Sequence, residues 1–229
     1  MTWSSDARGA ARGPVFHDRR HAGRELAGVL GGYRQRSEVL VLALPRGGVP
    51  VGFEVAEALH APLDVFIVRK LGAPGHEEYA IGAIASGGVR VLNDDVLRQI
   101  PVSQQAIEAV ARREQAELVR REASYRGSKP PLDVRGKTVV VVDDGLATGS
   151  TMRAAVRALR AMDAGSIVVA VPVAARETCE EFRAEVDDIV CLRTPEPFQA
   201  VGLWYEDFTQ TTDEEVHELL AGAQQKVLQ

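Results

Sequence analysis

The sequence predicts an α/β domain in which helices flank a central, mainly parallel sheet. Short apolar runs rich in β-branched residues alternate along the chain with segments whose apolar residues recur at helical spacing. Strands that alternate with helices favour parallel pairing through right-handed crossovers. The 229 residues, 45% of them hydrophobic, are enough for one domain with a sizeable core.

The first half of the chain is predicted to contain three helices and four strands. The helical segments place their apolar residues on one side, and Gly31-Gly32 frays the end of the first helix. A Gly/Pro-punctuated loop is expected over 71–78, and Gly87-Gly88 indicates a hairpin, the one antiparallel exception. In chain order the predicted elements are a helix (19–33), a strand (38–44), a helix (48–60), a strand (63–68), two short strands (80–86 and 89–92) and a helix (103–125).

The second half continues the alternation. Four consecutive valines, 139–142, form a strand that can be covered on both faces, as parallel strands usually are. The first fifteen residues are rich in Ser, Arg, Gly and Ala without an apolar stretch, and they are predicted to be a mobile tail before a domain over 16–229. The later predicted elements are a helix from 150, a strand (166–173), a helix (175–184), a strand (188–192) and a last helix (213–221).

Composition narrows the class of protein. The net charge of −5 and the pI of about 5.6 argue against broad nucleic-acid binding, which needs a basic face. No apolar run approaches the length needed to span a membrane, and a cytoplasmic protein is expected. Cys179 and Cys191 lack metal-ligand spacing and are therefore predicted to be reduced thiols.

The most informative segment follows the strand 139–142. Asp143 and Asp144 emerge at its carboxyl end, where open α/β sheets place their ligands. Over 147–151, backbone N–H groups can converge on an anion at the positive end of the next helix. Helix caps and ordinary turns are the alternative interpretation for each part alone. The order of all the parts behind an apolar strand favours a site for a molecule that carries both a phosphate and a polyol.

This segment, VVVVDDGLATGST, resembles the signature of the type I phosphoribosyltransferases. The resemblance implies the fold of that family, with a flexible lid loop and a small hood to which residues 194–229 could belong. It also implies that Asp143 and Asp144, as catalytic residues, hold the ribose hydroxyls of phosphoribosyl pyrophosphate (PRPP). The implied substrate-binding loop comprises Gly145, Ala147, Thr148, Gly149, Ser150 and Thr151, which would cradle the 5′-phosphate.

A second Gly-rich junction, 44–50, lies between a predicted strand and a predicted helix. Its glycines expose backbone amides, and Arg46 can offer a bidentate fork to a phosphate. Taken alone, an ordinary turn with an exposed arginine is the better interpretation. The resembling family binds the pyrophosphate leaving group at this place, which implies that Arg46, Gly47 and Gly48 contact it.

Arg69 and Lys70 follow the strand 63–68 directly. Two adjacent cations at a strand end are often merely solvated. Branches of the family that act on orotate and adenine have a similar Arg-Lys before their lid, which implies a catalytic role for both residues. The lid would be the loop 72–79, although a solvated polar loop is an equal alternative. The lid residues that could reach the active site are His76, Glu77 and Glu78.

Aromatic residues concentrate in the segment 197–208 of a chain that is poor in them. They could stack on a planar base, or they could pack the C-terminal helix onto the core. Purine-salvage members of the family have a similar segment, which favours stacking by Trp204 or Tyr205. Those members read the purine oxo group with a Lys after the strand 166–173. Here that place is Ala174-Ala175-Arg176, so the resemblance does not extend to oxopurine specificity.

The resemblance implies a PRPP-dependent enzyme that transfers the 5-phosphoribosyl group to a nitrogenous base and releases pyrophosphate, in nucleotide salvage or synthesis. Mg²⁺ would accompany PRPP, and Asp143 and Asp144 could reach it through water. Homodimers are common in the family. The alternative is a regulatory protein of the same fold that binds PRPP or a nucleotide without transfer. Such a regulator should show a basic RNA-facing patch, but the arginines of 112–126 are interleaved with glutamates.

Overall fold

The chain forms two sheets of different kinds. A computed structural model describes residues 15–100 and 102–227, so the predicted N-terminal tail lies outside the described residues except for Val15. The described strands are β1 (Val39–Ala43), β2 (Leu63–Val65), β3 (Val68–Ala73), β4 (His76–Ala85), β5 (Val89–Leu92), β6 (Thr138–Val142), β7 (Ser166–Val173) and β8 (Asp188–Arg193). A five-stranded parallel sheet has the order β2-β1-β6-β7-β8, and a three-stranded antiparallel sheet has the order β3-β4-β5. The predicted α/β fold with a mainly parallel central sheet is confirmed.

The helices flank and connect these sheets. They are α1 (Arg19–Val29), α2 (Gly48–Leu59), α3 (Asp94–Gln99), α4 (Gln104–Arg126), α5 (Ser150–Ala161), α6 (Arg176–Phe182) and α7 (Asp213–Val227). The first helix is shorter than predicted, because Gly31–Tyr33 forms a separate 3-10 turn. The short helix α3, capped by the side chain of Asn93, was not predicted. Within residues 15–100 and 102–227, no helix combines the length and apolarity needed to cross a bilayer.

The valines of β6 separate two hydrophobic cores. Val140 and Val142 face the core that contains residues of α1, α2 and α7, whereas Val139 and Val141 face the core that contains residues of α5 and α6. Successive strand residues point to opposite faces, so all four valines are buried. β1 pairs with β6 in register, with Ala43 beside Val142, which brings the carboxyl ends of the two strands together.

The strand predicted over 63–68 is confirmed only over its first three residues, and the prediction of a loop over 71–78 was wrong. The strand ends at Val65, and two antiparallel strands, β3 and β4, span most of the expected loop. Gly75 has a φ of 79°, which permits the tight turn between them. Leu71 is fully buried in a core shared with residues of α4. This tertiary burial outweighs the local Gly and Pro signals.

The antiparallel sheet lies against α4 and α5. Its antiparallel pairing around Gly87-Gly88 is confirmed between β4 and β5. A short 3-10 turn, Ser86–Gly88, connects the two strands instead of a two-residue hairpin turn. Because β3 contacts α5, side chains of β3 can reach the loop that precedes that helix.

The prediction of two reduced thiols was also wrong. Cys179 of α6 and Cys191 of β8 form a disulfide. β8 pairs with β7, and α6 follows β7 directly, so the fold brings together two thiols that are 12 positions apart. The bond ties α6 to the edge strand of the parallel sheet.

The start of the described chain pairs with a segment that precedes α7. The backbone N–H groups of Val15 and Phe16 both donate to the carbonyl oxygen of Trp204 at 3.0 Å, and the N–H of Glu206 donates to the carbonyl of Phe16 at 2.8 Å. Phe16, Trp204 and Tyr205 share a hydrophobic cluster with Val173 at the end of β7. We refer to residues 198–212 as the C-terminal segment, and this pairing fixes it at the carboxyl end of the parallel strands.

Candidate active site

Two loops meet at the carboxyl edge of the parallel sheet. Because β1 and β6 are adjacent, the loop that follows β1 lies beside the loop that follows β6. The N–H of Leu44 donates to the carbonyl of Val142 at 2.9 Å and joins the loops at their base. The structure thus brings both predicted ligand-binding loops into one site.

The two acidic residues pack directly against the glycines of the first loop. A Cβ added at Gly47 would lie 2.1 Å from Asp144 Oδ2. A Cβ added at Gly48 would lie 2.7 Å from the carbonyl oxygen of Val142 and 3.0 Å from the Cα of Asp143. Only glycine allows this approach. The sequence PRGG is therefore needed partly to make room for the carboxylates.

The acid pair lies in a desolvated environment. Desolvation raises the pKa of Asp143 well above its usual range, and the neighbouring charge of Asp144 raises it further. Desolvation also raises the pKa of Asp144, although a hydrogen bond from Arg19 opposes that shift. The N–H of Asp144 donates to Asp143 Oδ1 at 2.9 Å. Two adjacent carboxylates of this kind favour cations or hydroxyl donors as ligands.

Arg19, at the start of α1, is a site residue that the sequence analysis missed. Its Nε donates to Asp144 Oδ2 at 2.9 Å. Both side chains are largely buried, 11% exposed for Arg19 and 17% for Asp144. The two residues are 125 positions apart, so no local sequence pattern indicates the pair.

The loop between β6 and α5 forms an amide-lined cup, defined as residues 147–151. None of its backbone N–H groups donates a hydrogen bond to another atom of the described chain. Gly149 takes a φ of 70° and precedes the first residue of α5, Ser150. Amides that point away from their own helix at its N-terminus attract anions. The cup is therefore shaped for a phosphate.

Neighbouring elements hold the cup in place. Thr178 of α6 donates its hydroxyl to the carbonyl of Ala147 at 2.6 Å. Arg153 of α5 donates to the carbonyl of Thr148 at 2.9 Å and also pairs with Glu181 and Glu185, the first of which lies on α6. These contacts occupy carbonyl groups and leave the amides of the cup available.

Arg69 and Lys70 point in opposite directions, because adjacent residues of a strand lie on opposite faces. Lys70 Nζ donates to Ser150 Oγ at 2.6 Å, at the edge of the cup. Arg69 instead makes two hydrogen bonds, of 2.7 and 2.9 Å, to Glu114 of α4. The structure thus brings Lys70 to the site and places Arg69 in an ion pair on the other face of β3.

Arg46 lies in the loop after β1 and follows a cis peptide bond. Its guanidinium Nη1 is 3.6 Å from Asp213 Oδ1, at the start of α7. Tyr125 of α4 donates its hydroxyl to the same carboxylate oxygen at 2.5 Å. Arg46 is about one-third exposed and shares its partner, so it is placed to contact a ligand at the loop.

The predicted lid residues begin β4. His76 is exposed, and its ring centroid lies 6.3 Å from that of Tyr79, which is also exposed. The side chains of Glu77 and Glu78 lie outside the described residues. The segment that was predicted to be a loop is therefore a hairpin, and a lid role for these residues stays a prediction.

The structure supports packing rather than stacking for Trp204 and Tyr205. They are 8% and 4% exposed and lie in the cluster with Phe16. Tyr205 donates its hydroxyl to the backbone carbonyl of Asp144 at 2.5 Å. Neither ring offers an open face to a base, and Tyr205 instead ties the C-terminal segment to the acid pair.

Taken together, these residues can hold a sugar phosphate that carries a further anionic group. The cup offers amides for one phosphate, and the acid pair offers acceptors for hydroxyl groups. Arg46, in the loop after β1, and Lys70, beside the cup, supply cations.

Comparison with known proteins shows the family to which this chain belongs. A family model for the phosphoribosyl transferase domain matches residues 17–206. The chain belongs to the phosphoribosyl transferase family. The matched residues contain both sheets, both loops and the acid pair, so the resemblance that the sequence motifs indicated is confirmed.

Two relatives illustrate how far the similarity extends. A protein of Mycobacterium tuberculosis (strain ATCC 25618 / H37Rv), named "Putative phosphoribosyl transferase Rv0571c", is 48% identical over 202 residues. Those residues are 88% of this phosphoribosyl transferase chain but only 45% of the relative, so the chain spans less than half of that protein. The crystal structure of TT1426 from Thermus thermophilus is 43% identical and has a TM-score of 0.81, covering 90% of this chain and 98% of that one.

Proposed function

We propose that this member of the phosphoribosyl transferase family is a PRPP-dependent enzyme. It transfers the 5-phosphoribosyl group from PRPP to a nitrogenous base and releases pyrophosphate. The observation that carries the proposal is the cup of unpaired amides beside two desolvated carboxylates at the end of one strand. A ribose 5-phosphate unit presents the matching groups, a phosphate at one end and a hydroxyl pair at the other.

Each part of PRPP has a proposed partner. The cup binds the 5′-phosphate, and Asp143 and Asp144 accept hydrogen bonds from the ribose hydroxyls. Arg46 and Lys70, together with the amides of the loop after β1, bind the pyrophosphate. Arg69 is assigned a supporting role in holding β3 on α4, because its guanidinium is engaged by Glu114.

The reaction breaks the bond from C1′ to pyrophosphate as a bond from C1′ to a base nitrogen forms. Positive charge develops on the sugar, and negative charge develops on the leaving group. The acid pair offsets the first charge, and Arg46 and Lys70 offset the second. The protein thus supplies position and electrostatic stabilisation without a covalent intermediate.

A magnesium ion fits this site only with most of its ligands from substrate and water. In the described part of the chain, no three His, Cys, Asp or Glu side chains converge as a metal site. Asp143 and Asp144 provide the oxygen ligands that Mg²⁺ prefers, and they would hold the ion through water. When bound with PRPP, Mg²⁺ would neutralise part of the pyrophosphate charge.

The test is to incubate the protein with Mg²⁺, PRPP and a panel of purines, pyrimidines and orotate. Pyrophosphate release and nucleotide formation are measured for each acceptor. Turnover with at least one base is expected. PRPP binding without release of pyrophosphate for any acceptor would contradict catalysis and support the regulatory alternative.

Asp144→Asn tests the proposed role of the acid pair. We expect turnover to fall on the order of 100-fold, because the variant removes a charge aimed at the developing positive charge. The control is Asp95→Asn, since Asp95 is 77% exposed and pairs only with a helix neighbour, Arg98. Wild-type turnover in Asp144→Asn would show that this carboxylate does not act in the reaction.

A further inference from the structure

Arg19 makes three contacts around the acid pair. Its Nε donates to Asp144, its Nη1 donates to the carbonyl of Thr209 at 2.7 Å, and its guanidinium carbon lies 3.9 Å from the ring centroid of Phe208. Charged hydrogen bonds and stacking on an aromatic face both favour a planar guanidinium. The side chain therefore connects α1, the acid pair and the C-terminal segment.

The C-terminal segment reaches Asp144 by a second route. Tyr205 donates its hydroxyl to the backbone carbonyl of Asp144, and its own backbone pairs with Phe16, three residues before Arg19. Tyr205 also stacks on Phe208, with ring centroids 5.0 Å apart. Both the side chain and the backbone of Asp144 are thus attached to the same assembly.

Among the described residues, Arg19 is the one cation that forms an ion pair with the acid pair. Across residues 15–100 and 102–227, no other Lys or Arg forms an ion pair with Asp143 or Asp144. Lys70 is directed to Ser150, and Arg46 is directed to Asp213. Two adjacent carboxylates repel each other unless a cation offsets them. The guanidinium of Arg19 thus contacts the Asp144 carboxylate where that carboxylate lies over Gly47.

We propose that Arg19 is a positioning residue that holds the Asp144 carboxylate for the ribose hydroxyls and links it to the C-terminal segment. The inference rests on the proposed function, because it assumes that ribose binds at the acid pair. However, it predicts a difference between two parts of the ligand. Binding of the ribose part depends on Arg19, whereas binding of phosphate in the cup does not.

The experiment compares two ligands in the full chain by titration calorimetry. Inorganic phosphate probes the anion-binding groups without a sugar, and ribose 5-phosphate probes the cup together with the acid pair. Arg19→Met is expected to weaken ribose 5-phosphate about tenfold or more while phosphate affinity stays within about twofold. The ratio of the two affinities is insensitive to a general loss of structure, since both ligands need an intact cup.

Arg20→Met is the matched control. Arg20 is the next residue of α1, but it pairs with Glu54 at 2.6 Å and its guanidinium lies over the ring of Phe53. Both affinities should match the wild type in this variant. If Arg19→Met does not fold, Arg19→Gln takes its place with the same expectation, because the amide retains a donor for the carbonyl of Thr209.

Two outcomes would overturn the inference. One is an equal loss of both affinities in the Arg19 variant, or no loss of either. The other is a further, fully additive loss of ribose 5-phosphate affinity when Arg19→Met is added to Asp144→Asn, since a partner that acts through Asp144 should add little there. A wild-type protein that binds ribose 5-phosphate no better than phosphate would contradict the proposed function instead.

Discussion

The cup and the acid pair follow the same strand, but the protein holds them in opposite ways. The amides of the cup have no acceptor in the described chain, and the side chains that support the cup donate to its carbonyl groups. The carboxylates are desolvated, and Asp144 is already hydrogen-bonded to Arg19. A phosphate can therefore bind to amides that have no other acceptor in the described chain. Ribose hydroxyls, in contrast, must bind to carboxylates that already have hydrogen-bond partners. Under the proposed function, the phosphate of the donor would meet free amides, and its ribose would meet carboxylates that already have partners.

The largest effect is expected from a substitution that displaces the cup. In Gly149→Ala, the new Cβ would lie 2.6 Å from the ring of Phe182 at a position whose φ is 70°. Backbone strain and overpacking should displace the cup and weaken phosphate binding on the order of 100-fold. Titration with inorganic phosphate measures the change.

Gly127→Ala is the control for strain alone, since Gly127 also has a positive φ but nothing lies within 4 Å of the added Cβ. It should leave phosphate binding unchanged. Normal phosphate affinity in Gly149→Ala would break the comparison, because the cup would then not depend on its backbone geometry.

The next effect concerns the support of the cup by α6. Replacing Cys179 and Cys191 together by serine removes the disulfide that ties this helix to β8. For a closed loop of this length, we expect the free energy of unfolding to fall by about 3 kcal/mol. Urea unfolding of the double variant and of the wild type, with and without reductant, measures the difference. If reductant leaves the wild-type midpoint unchanged, the bond contributes nothing to stability.

The smallest expected effect is a change with pH in the contribution of Asp143 to the free energy of unfolding. The folded protein raises the pKa of Asp143, so this group adds stability below the pKa of the unfolded chain and loses it as pH rises through the folded value. Each unit of the shift corresponds to about 1.4 kcal/mol. Asp143→Asn keeps an oxygen that can accept from the N–H of Asp144 but does not titrate. The free energy of unfolding of this variant, relative to the wild type, should therefore rise from pH 4 to pH 8.

Urea unfolding without ligand or Mg²⁺ at several pH values gives that difference. Asp95→Asn, at an exposed carboxylate, is the control for replacing an aspartate by asparagine. If the difference in the free energy of unfolding between Asp143→Asn and the wild type does not change with pH, the acid pair is solvated like a surface group. The acid pair would then not differ from the cup in the way described above.

Much of the fold and half of the site could be predicted from the sequence. The four valines require a strand with two covered faces, and Asp143, Asp144 and the loop after them occupy its end by simple continuity. The loop with Gly47 and Gly48 comes to the same edge because parallel strands end together. These features depend on neighbours along the chain, so local patterns predict them.

The errors share one cause, which is that they depend on distant partners. The expected loop 71–78 became a hairpin because α4 covers Leu71, and Arg69 turned away from the site because β3 is a strand. Trp204 and Tyr205 became core residues because Phe16 packs against them.

The sequence by itself determined the α/β fold, the acidic strand end and the amide-lined cup, because hydrophobic periodicity and glycine positions are properties of neighbouring residues. Only the tertiary structure decided which cation serves the acid pair, which thiols join and which aromatic rings are buried. Arg19 and Asp144 are 125 positions apart, and Cys179 meets Cys191 only after β7 and β8 have paired. Such contacts arise from the packing of whole elements, and no local pattern encodes that packing.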